Sequence, residues 1–180
     1  MRARVKLGLQ ALAAVGVGVL ATLLIWNLTH QAPPPKVGGR APAFSLRRLT
    51  GSGDLSLASF RGKTVVLNFF ASWCEPCKRE APALEQVYRQ YRARGVVVLG
   101  IDTNDAASDG RHFLAAHEIT YPVVGGAGFG LASRYGVPDL PATFVLNSQG
   151  RIVGGLILGP VTDHPYAQTF RRYLDAALKA

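Results

Sequence analysis

The stretch Thr64-Val65-Val66-Leu67-Asn68-Phe69-Phe70-Ala71-Ser72-Trp73-Cys74-Glu75-Pro76-Cys77 decides the fold. Its first half, Thr64 to Phe70, is β-branched and aromatic with few polar residues, the pattern of a strand covered on both faces. Its second half ends the strand and sets two cysteines at the start of a helix. Cys74 then stands where unpaired amide N–H groups and the helix dipole favour an anion. That placement predicts a thiolate pKa below the value of about 8.5 for a free thiol. Cys77 follows one helical turn later, where its sulfur reaches Cys74 to close a small disulfide ring. Pro76 suits a first turn, in which its missing N–H costs little. A zinc site would want two further ligands of this kind, and the chain has only two cysteines. A c-type haem attachment would want His after Cys77, where Lys78 stands. Structural disulfides rarely close so short a loop, so the pair reads as a redox centre.

Outward from this centre, strands and helices alternate. Ala43 to Leu46 and Asp54 to Leu57 read as a hairpin around Thr50-Gly51-Ser52-Gly53. Glu75 to Arg94 reads as a helix with apolar residues at Ala81, Leu84, Val87, Tyr88 and Tyr91, stopped by Gly95. Val96 to Ile101 is a second buried strand, and Asp105 to His117 a helix with Asp105 as N-cap. Ala142 to Leu146 and Ile152 to Ile157 are strands turned at Asn147-Ser148-Gln149-Gly150. Thr162 or Asp163 caps a last helix that ends near Lys179. The order predicts an α/β fold with a mixed sheet and helices on both faces. Gly126-Ala127-Gly128-Phe129-Gly130 lacks the spacing of a dinucleotide loop and reads as a plain loop.

The chain has 180 residues, 48% hydrophobic, which suits one folded domain and excludes a disordered chain. Its formal net charge of +9 raises the question of nucleic acid. Arg47, Arg61, Arg92, Arg134 and Arg171 share no run or spacing, so a solvated surface without nucleic acid is expected.

The N-terminal segment stands apart. Leu7 to Leu28 is almost entirely apolar, and at about 1.5 Å per residue it spans a hydrocarbon core of about 30 Å. It is longer than a signal-peptide core, and His30-Gln31-Ala32 followed by Pro33 makes a poor cleavage site. Arg2, Arg4 and Lys6 precede it, whereas Thr29 to Pro35 carries no Lys or Arg. Residues 1–30 are therefore expected to be an uncleaved anchor with its N-terminus in the cytoplasm. That places the rest of the chain on the periplasmic side of the inner membrane. Residues 31–40 read as a stiff Pro/Gly linker, and 41–180 as the folded domain.

Asn68 to Cys77 resembles the active-site strand and helix of thioredoxin-fold proteins. Ala41-Pro42-Ala43-Phe44-Ser45-Leu46 and Leu57 to Lys63 resemble the N-terminal extension of the membrane-anchored TlpA/ResA branch, a relative of the AhpC/TSA family. Gly136 to Phe144 is similar to that branch's cis-proline loop. The resemblance implies a thioredoxin fold with a β-hairpin extension and a thiol:disulfide oxidoreductase using the Cys74–Cys77 disulfide with no other cofactor. It implies a cis bond between Leu140 and Pro141, which would set that loop beside the cysteines to meet a substrate strand. Pro82 matches the proline inside the active-site helix, and Trp73 the tryptophan that shields the disulfide. Asn68 replaces the buried acid of ordinary thioredoxin. Glu80, on the helix face of Cys77, matches an acid of the ResA-like branch and is expected to exchange the Cys77 proton. Glu75 is expected only to tune the pair.

The resemblance implies disulfide-bearing protein partners in cytochrome c or copper-centre assembly, and a membrane electron donor. Asp139-Leu140-Pro141-Ala142 departs from the Gly-Ala-Pro-Glu loop of the cytochrome-maturation subgroup. The rivals are an oxidant of the same fold, a Cu(I)-binding chaperone and a thiol peroxidase. The peroxidase would want Thr or Ser where Ala71 stands.

Overall fold

The structure, a computed structural model, describes residues 2–29, 33–126 and 128–180. The chain divides into two compact units, Met1–Pro33 and Pro34–Ala180. The first holds one helix, α1 (Arg2–Thr29). Among the described residues no helix is long and apolar enough to cross a membrane. The anchor expected over Leu7 to Leu28 falls partly on side chains outside those described, which within α1 are Gln10 and positions 14–26.

The second unit is built on a seven-stranded sheet in the order β2-β1-β5-β4-β3-β6-β7. Its strands are β1 (Ser45–Arg48), β2 (Asp54–Ser56), β3 (Thr64–Phe70), β4 (Val96–Asp102), β5 (Val123–Gly125), β6 (Ala142–Leu146) and β7 (Ile152–Leu158). The helices are α2 (Glu75–Tyr91), α3 (Ala107–Ala116), α4 (Gly130–Arg134) and α5 (Tyr166–Lys179). β3 lies at the centre, parallel to β4 and antiparallel to β6. Every residue of β3 and β4 is buried, as their apolar runs require.

Alternation along β3 sorts the core into two clusters. Val66 and Phe70 face Ala81 and Leu84 of α2, Phe113 of α3, and Phe170 and Leu174 of α5. Val65, Leu67 and Phe69 face Phe44, Leu55, and Leu131, Ala132 and Tyr135 in and after α4. Tyr135 is 1% exposed, and its hydroxyl donates to the Pro42 carbonyl at 2.7 Å, which fastens the N-terminal extension to this face.

The mixed sheet appears as the sequence pattern predicts, with two additions and two corrections. β5 and α4 are too short to show a period of their own. α3 begins after Ala106 with no side-chain cap, because the Asp105 carboxylate is turned to the Ser72 amide instead. α5 begins after Pro165 with no side-chain cap, rather than at Thr162 or Asp163, whose side chains bond to each other. α2 continues through Pro82 to Tyr91, and a 3-10 turn over Arg92–Arg94 completes it. Gly95 then takes the left-handed conformation that closes a helix, at φ 80°.

Candidate active site

The site lies where β3 ends. Cys74 is the N-cap of α2, in extended conformation, and its Sγ accepts from the Cys77 amide at 3.2 Å. Glu75 and Pro76 fill the first turn, where a helix leaves its N–H groups unpaired and proline has none to leave. Cys74 and Cys77 are joined by a disulfide, with S–S 2.02 Å and Cα–Cα 5.3 Å. Both are buried, at 5% and 1% exposure.

Two loops close over this helix start. Thr103 N–H donates to the Phe70 carbonyl at 2.9 Å. Asp105 Oδ2 accepts from the Ser72 amide at 2.6 Å. Trp73 Nε1 donates to the Asn104 carbonyl at 3.3 Å, while the Trp73 side chain stays exposed at 56%. The β4–α3 connection therefore straps Ser72 and Trp73 in front of Cys74. On the other side, β6 begins opposite Phe69, which brings Pro141 to the same end of the sheet. The Leu140–Pro141 bond is cis. Leu140 N–H donates to its neighbour Asp139 Oδ1 at 2.8 Å, and the Pro141 carbonyl accepts from Gly159 at 2.9 Å. Leu140 is half-buried against both core clusters, and Pro141 is buried.

Glu80 is 1% exposed, one turn beyond Cys77 on α2. Its Oε1 accepts from Asn68 Nδ2 at 2.8 Å and its Oε2 from the Val161 amide at 2.9 Å. Asn68 also donates to Thr143 Oγ1 at 3.1 Å. Burial pushes the Glu80 carboxyl up to about 7, against the pull of the Val161 and Asn68 N–H groups. It is thus a buried carboxyl that changes charge near neutral pH, on the same helix face as Cys77. Glu75 is the opposite case. It is exposed and ion-paired with Lys78, whose hydrogen bond and charge lower its pKa.

Sequence reasoning singled out Cys74, Cys77, Glu80, Trp73, Leu140 and Pro141, and all six lie at this end of the sheet. It missed Val161, Asp105 and Asn104. Val161 and Asn104 act through main-chain atoms, which carry no residue-type signal. Asp105 has the residue type and position of an N-cap, and only its contact with Ser72 reveals its use.

Residues 37–154 match the AhpC/TSA family. The thiol-disulfide oxidoreductase ResA of Geobacillus thermodenitrificans is 32% identical over 160 residues, which cover 89% of this chain and 88% of that protein. Its namesake in Bacillus subtilis is 31% identical over 126 residues, covering 70% of this chain and 69% of that protein. A thiol:disulfide interchange protein of Chlorobium tepidum described as DsbE superposes with TM-score 0.70 at 29% identity, over 80% of this chain and 99% of that one. A second Chlorobium tepidum protein, of the thioredoxin family, superposes with TM-score 0.64 at 32% identity, over 82% of this chain and 98% of that one. With a disulfide at the N-terminus of α2 on a thioredoxin-like sheet, the chain belongs to the AhpC/TSA family and is a thiol–disulfide oxidoreductase of the ResA/DsbE type.

Proposed function

We propose that the Cys74–Cys77 pair works as a reductant of disulfides in extracytoplasmic proteins, held at the inner membrane by the apolar N-terminal segment. The Cys74 thiolate attacks one sulfur of a substrate disulfide. That S–S bond breaks, one substrate sulfur leaves as a thiol, and the other stays joined to Cys74. Cys77 gives its proton to Glu80 and attacks Cys74 Sγ. The mixed disulfide breaks, the substrate's second thiol is released, and the enzyme disulfide forms. Two electrons have passed to the substrate, and a membrane dithiol donor returns them for the next cycle. Trp73, Leu140 and Pro141 flank the sulfurs and are the surfaces a substrate strand meets.

The observation that carries this direction is the buried Glu80 carboxyl, one helical turn beyond Cys77 on α2. A negative charge there disfavours thiolates in the reduced pair and so favours the disulfide, which lowers the reduction potential. A strong oxidant needs the reverse, a stabilised reduced form. The TlpA/ResA resemblance points to substrates in copper-centre or cytochrome c assembly. The extracytoplasmic placement rests on the Arg2, Arg4 and Lys6 flank and the apolar run after it.

The test is the pH profile of single-turnover disulfide reduction by the reduced enzyme. The wild-type profile should carry a step near about pH 7 that Glu80→Gln removes, leaving the thiol titration alone. A profile unchanged by Glu80→Gln would remove Glu80 from the proton transfer. Cys77→Ser should leave substrate covalently held on Cys74, and its free release would refute the order of attack.

A further inference from the structure

The basic residues that lie scattered along the sequence are gathered by the fold at one end of the second unit. β3 and β4 start side by side at Thr64 and Val96, and β6 ends beside them at Leu146. Thr64 N–H bonds to Gly95 at 3.0 Å, and Gly62 N–H to Ser148 at 2.9 Å. These contacts bring Arg61 and Lys63 together with Arg92 and Arg94. Gly38 N–H bonds to Ile152, Ile152 N–H to Gly39, and Arg40 pairs with Arg151, so the chain joins the sheet at this same end. The last turn of α5 arrives there too, through Thr64 Oγ1 and the Ala177 carbonyl at 3.4 Å.

Positions 36–40, 61–63, 92–94, 148–151 and 177–180 carry eight Lys or Arg and no Asp or Glu. All eight of these side chains are exposed. None is in an ion pair: among the described residues those are Lys78–Glu75 and Arg89–Glu85. The opposite end, which carries Cys74, holds Glu75, Asp102, Asp105, Asp109, Asp139 and Asp163. Seven residues of β3 separate the two ends, about 20 Å at about 3.3 Å per residue, well beyond a screening length of about 8 Å. The acids near Cys74 therefore cancel little of the positive field at the first end, where Asp175, sharing a groove with Tyr91, offsets one of its charges.

We propose that the end built from Lys36, Arg40, Arg61, Lys63, Arg92 and Arg94 is a docking surface for an anionic lipid bilayer, which holds the Cys74 end turned away from the membrane. Two observations favour lipid over nucleic acid. The chain coming from the apolar N-terminal segment joins the sheet at this end, and Val37 stands there 63% exposed among the cations. The orientation goes beyond the proposed tethering but rests on it, whereas the lipid-binding surface belongs to the second unit alone.

Both core clusters lie wholly within residues 34–180, so this unit can be tested by itself. It is sedimented with vesicles of phosphatidylcholine, or of phosphatidylcholine with a third phosphatidylglycerol. Binding is expected to the anionic vesicles only, and it should fall steeply in high salt. Each Lys or Arg at an anionic surface is worth about fivefold in partition, so Arg61→Gln, Lys63→Gln, Arg92→Gln and Arg94→Gln together should weaken it at least tenfold. Arg47→Gln with Arg111→Gln, away from this end, should change it less than about twofold. No binding at low salt, or equal loss in both variants, would overturn the proposal. So would tighter binding to a single-stranded oligonucleotide that displaces the vesicles. Protease protection of the full chain in vesicles reads the anchor separately: if the anchor fails there, the orientation falls and the sedimentation result stands.

Discussion

Replacing Glu80 with glutamine should stabilise the oxidised protein, by an amount that grows with pH. The carboxyl moves from its ordinary 4.5 to about 7 on folding, chiefly through burial. Between those values the native state holds a proton that the unfolded chain has lost. Its contribution to stability is therefore fully present below about pH 4.5 and is lost as pH rises through about 7. A shift of about two and a half pKa units at about 1.36 kcal/mol each gives a ceiling of about 3 kcal/mol. Part of this is already lost at pH 5, so about 2–3 kcal/mol should disappear between pH 5 and 9. Glutamine has no charge to bury, and its amide can be satisfied in place. Its oxygen can accept from the Val161 amide, and its NH2 can donate to Asn68 once that amide turns over, with Thr143 donating in turn. The assay is urea unfolding of the oxidised unit 34–180 at pH 5, 7 and 9, wild type against Glu80→Gln. The two should lie close at pH 5 and separate by about 2–3 kcal/mol at pH 9. A gap that stays constant across this range would refute a buried, upshifted carboxyl.

Asp105→Ala removes the acceptor of the Ser72 amide and should cost about 1–3 kcal/mol in denaturant unfolding, with a change in Trp73 emission as its loop loosens. Asp102 is 2% exposed, and its Oδ1 has no partner among the described residues. Burial, then Asp105 and Asp109, push its carboxyl up to about 8, so it is neutral at pH 6. Asp102→Asn should stabilise the protein by an amount that grows from about pH 4 to about 8 and levels off above it, as urea unfolding at pH 5, 7 and 9 would show. Gly154 sits at φ 76° with the Tyr173 ring where a Cβ would stand, 2.2 Å from its nearest atom. Gly154→Ala should therefore lower stability by at least about 2 kcal/mol, and calorimetry would show it.

The central strands and the cysteine helix are legible because each has a signal of its own. Thr64–Phe70 can only be a covered strand, and its seven residues are all buried. Helical spacing puts Glu80 on the face of Cys77, and the resemblance singles it out there. Its Val161 contact lies 81 residues away and uses a main-chain amide, so no pattern announces it. β5 is three residues long and α4 five, too short for any period to emerge. Asp105 shows how one residue type fits two uses: the sequence offers a cap, and packing assigns its carboxylate to Ser72. The basic end was illegible for a further reason. Its charges come from five separate segments, and only the strand pairing and the α5 contact bring those segments together.

The reduction potential of the Cys74–Cys77 pair tests the reductant directly. Equilibration of the unit 34–180 against glutathione or dithiothreitol buffers at pH 7 should place it near or below about −220 mV. A value above about −150 mV would make the protein an oxidant and contradict the proposed direction of electron flow.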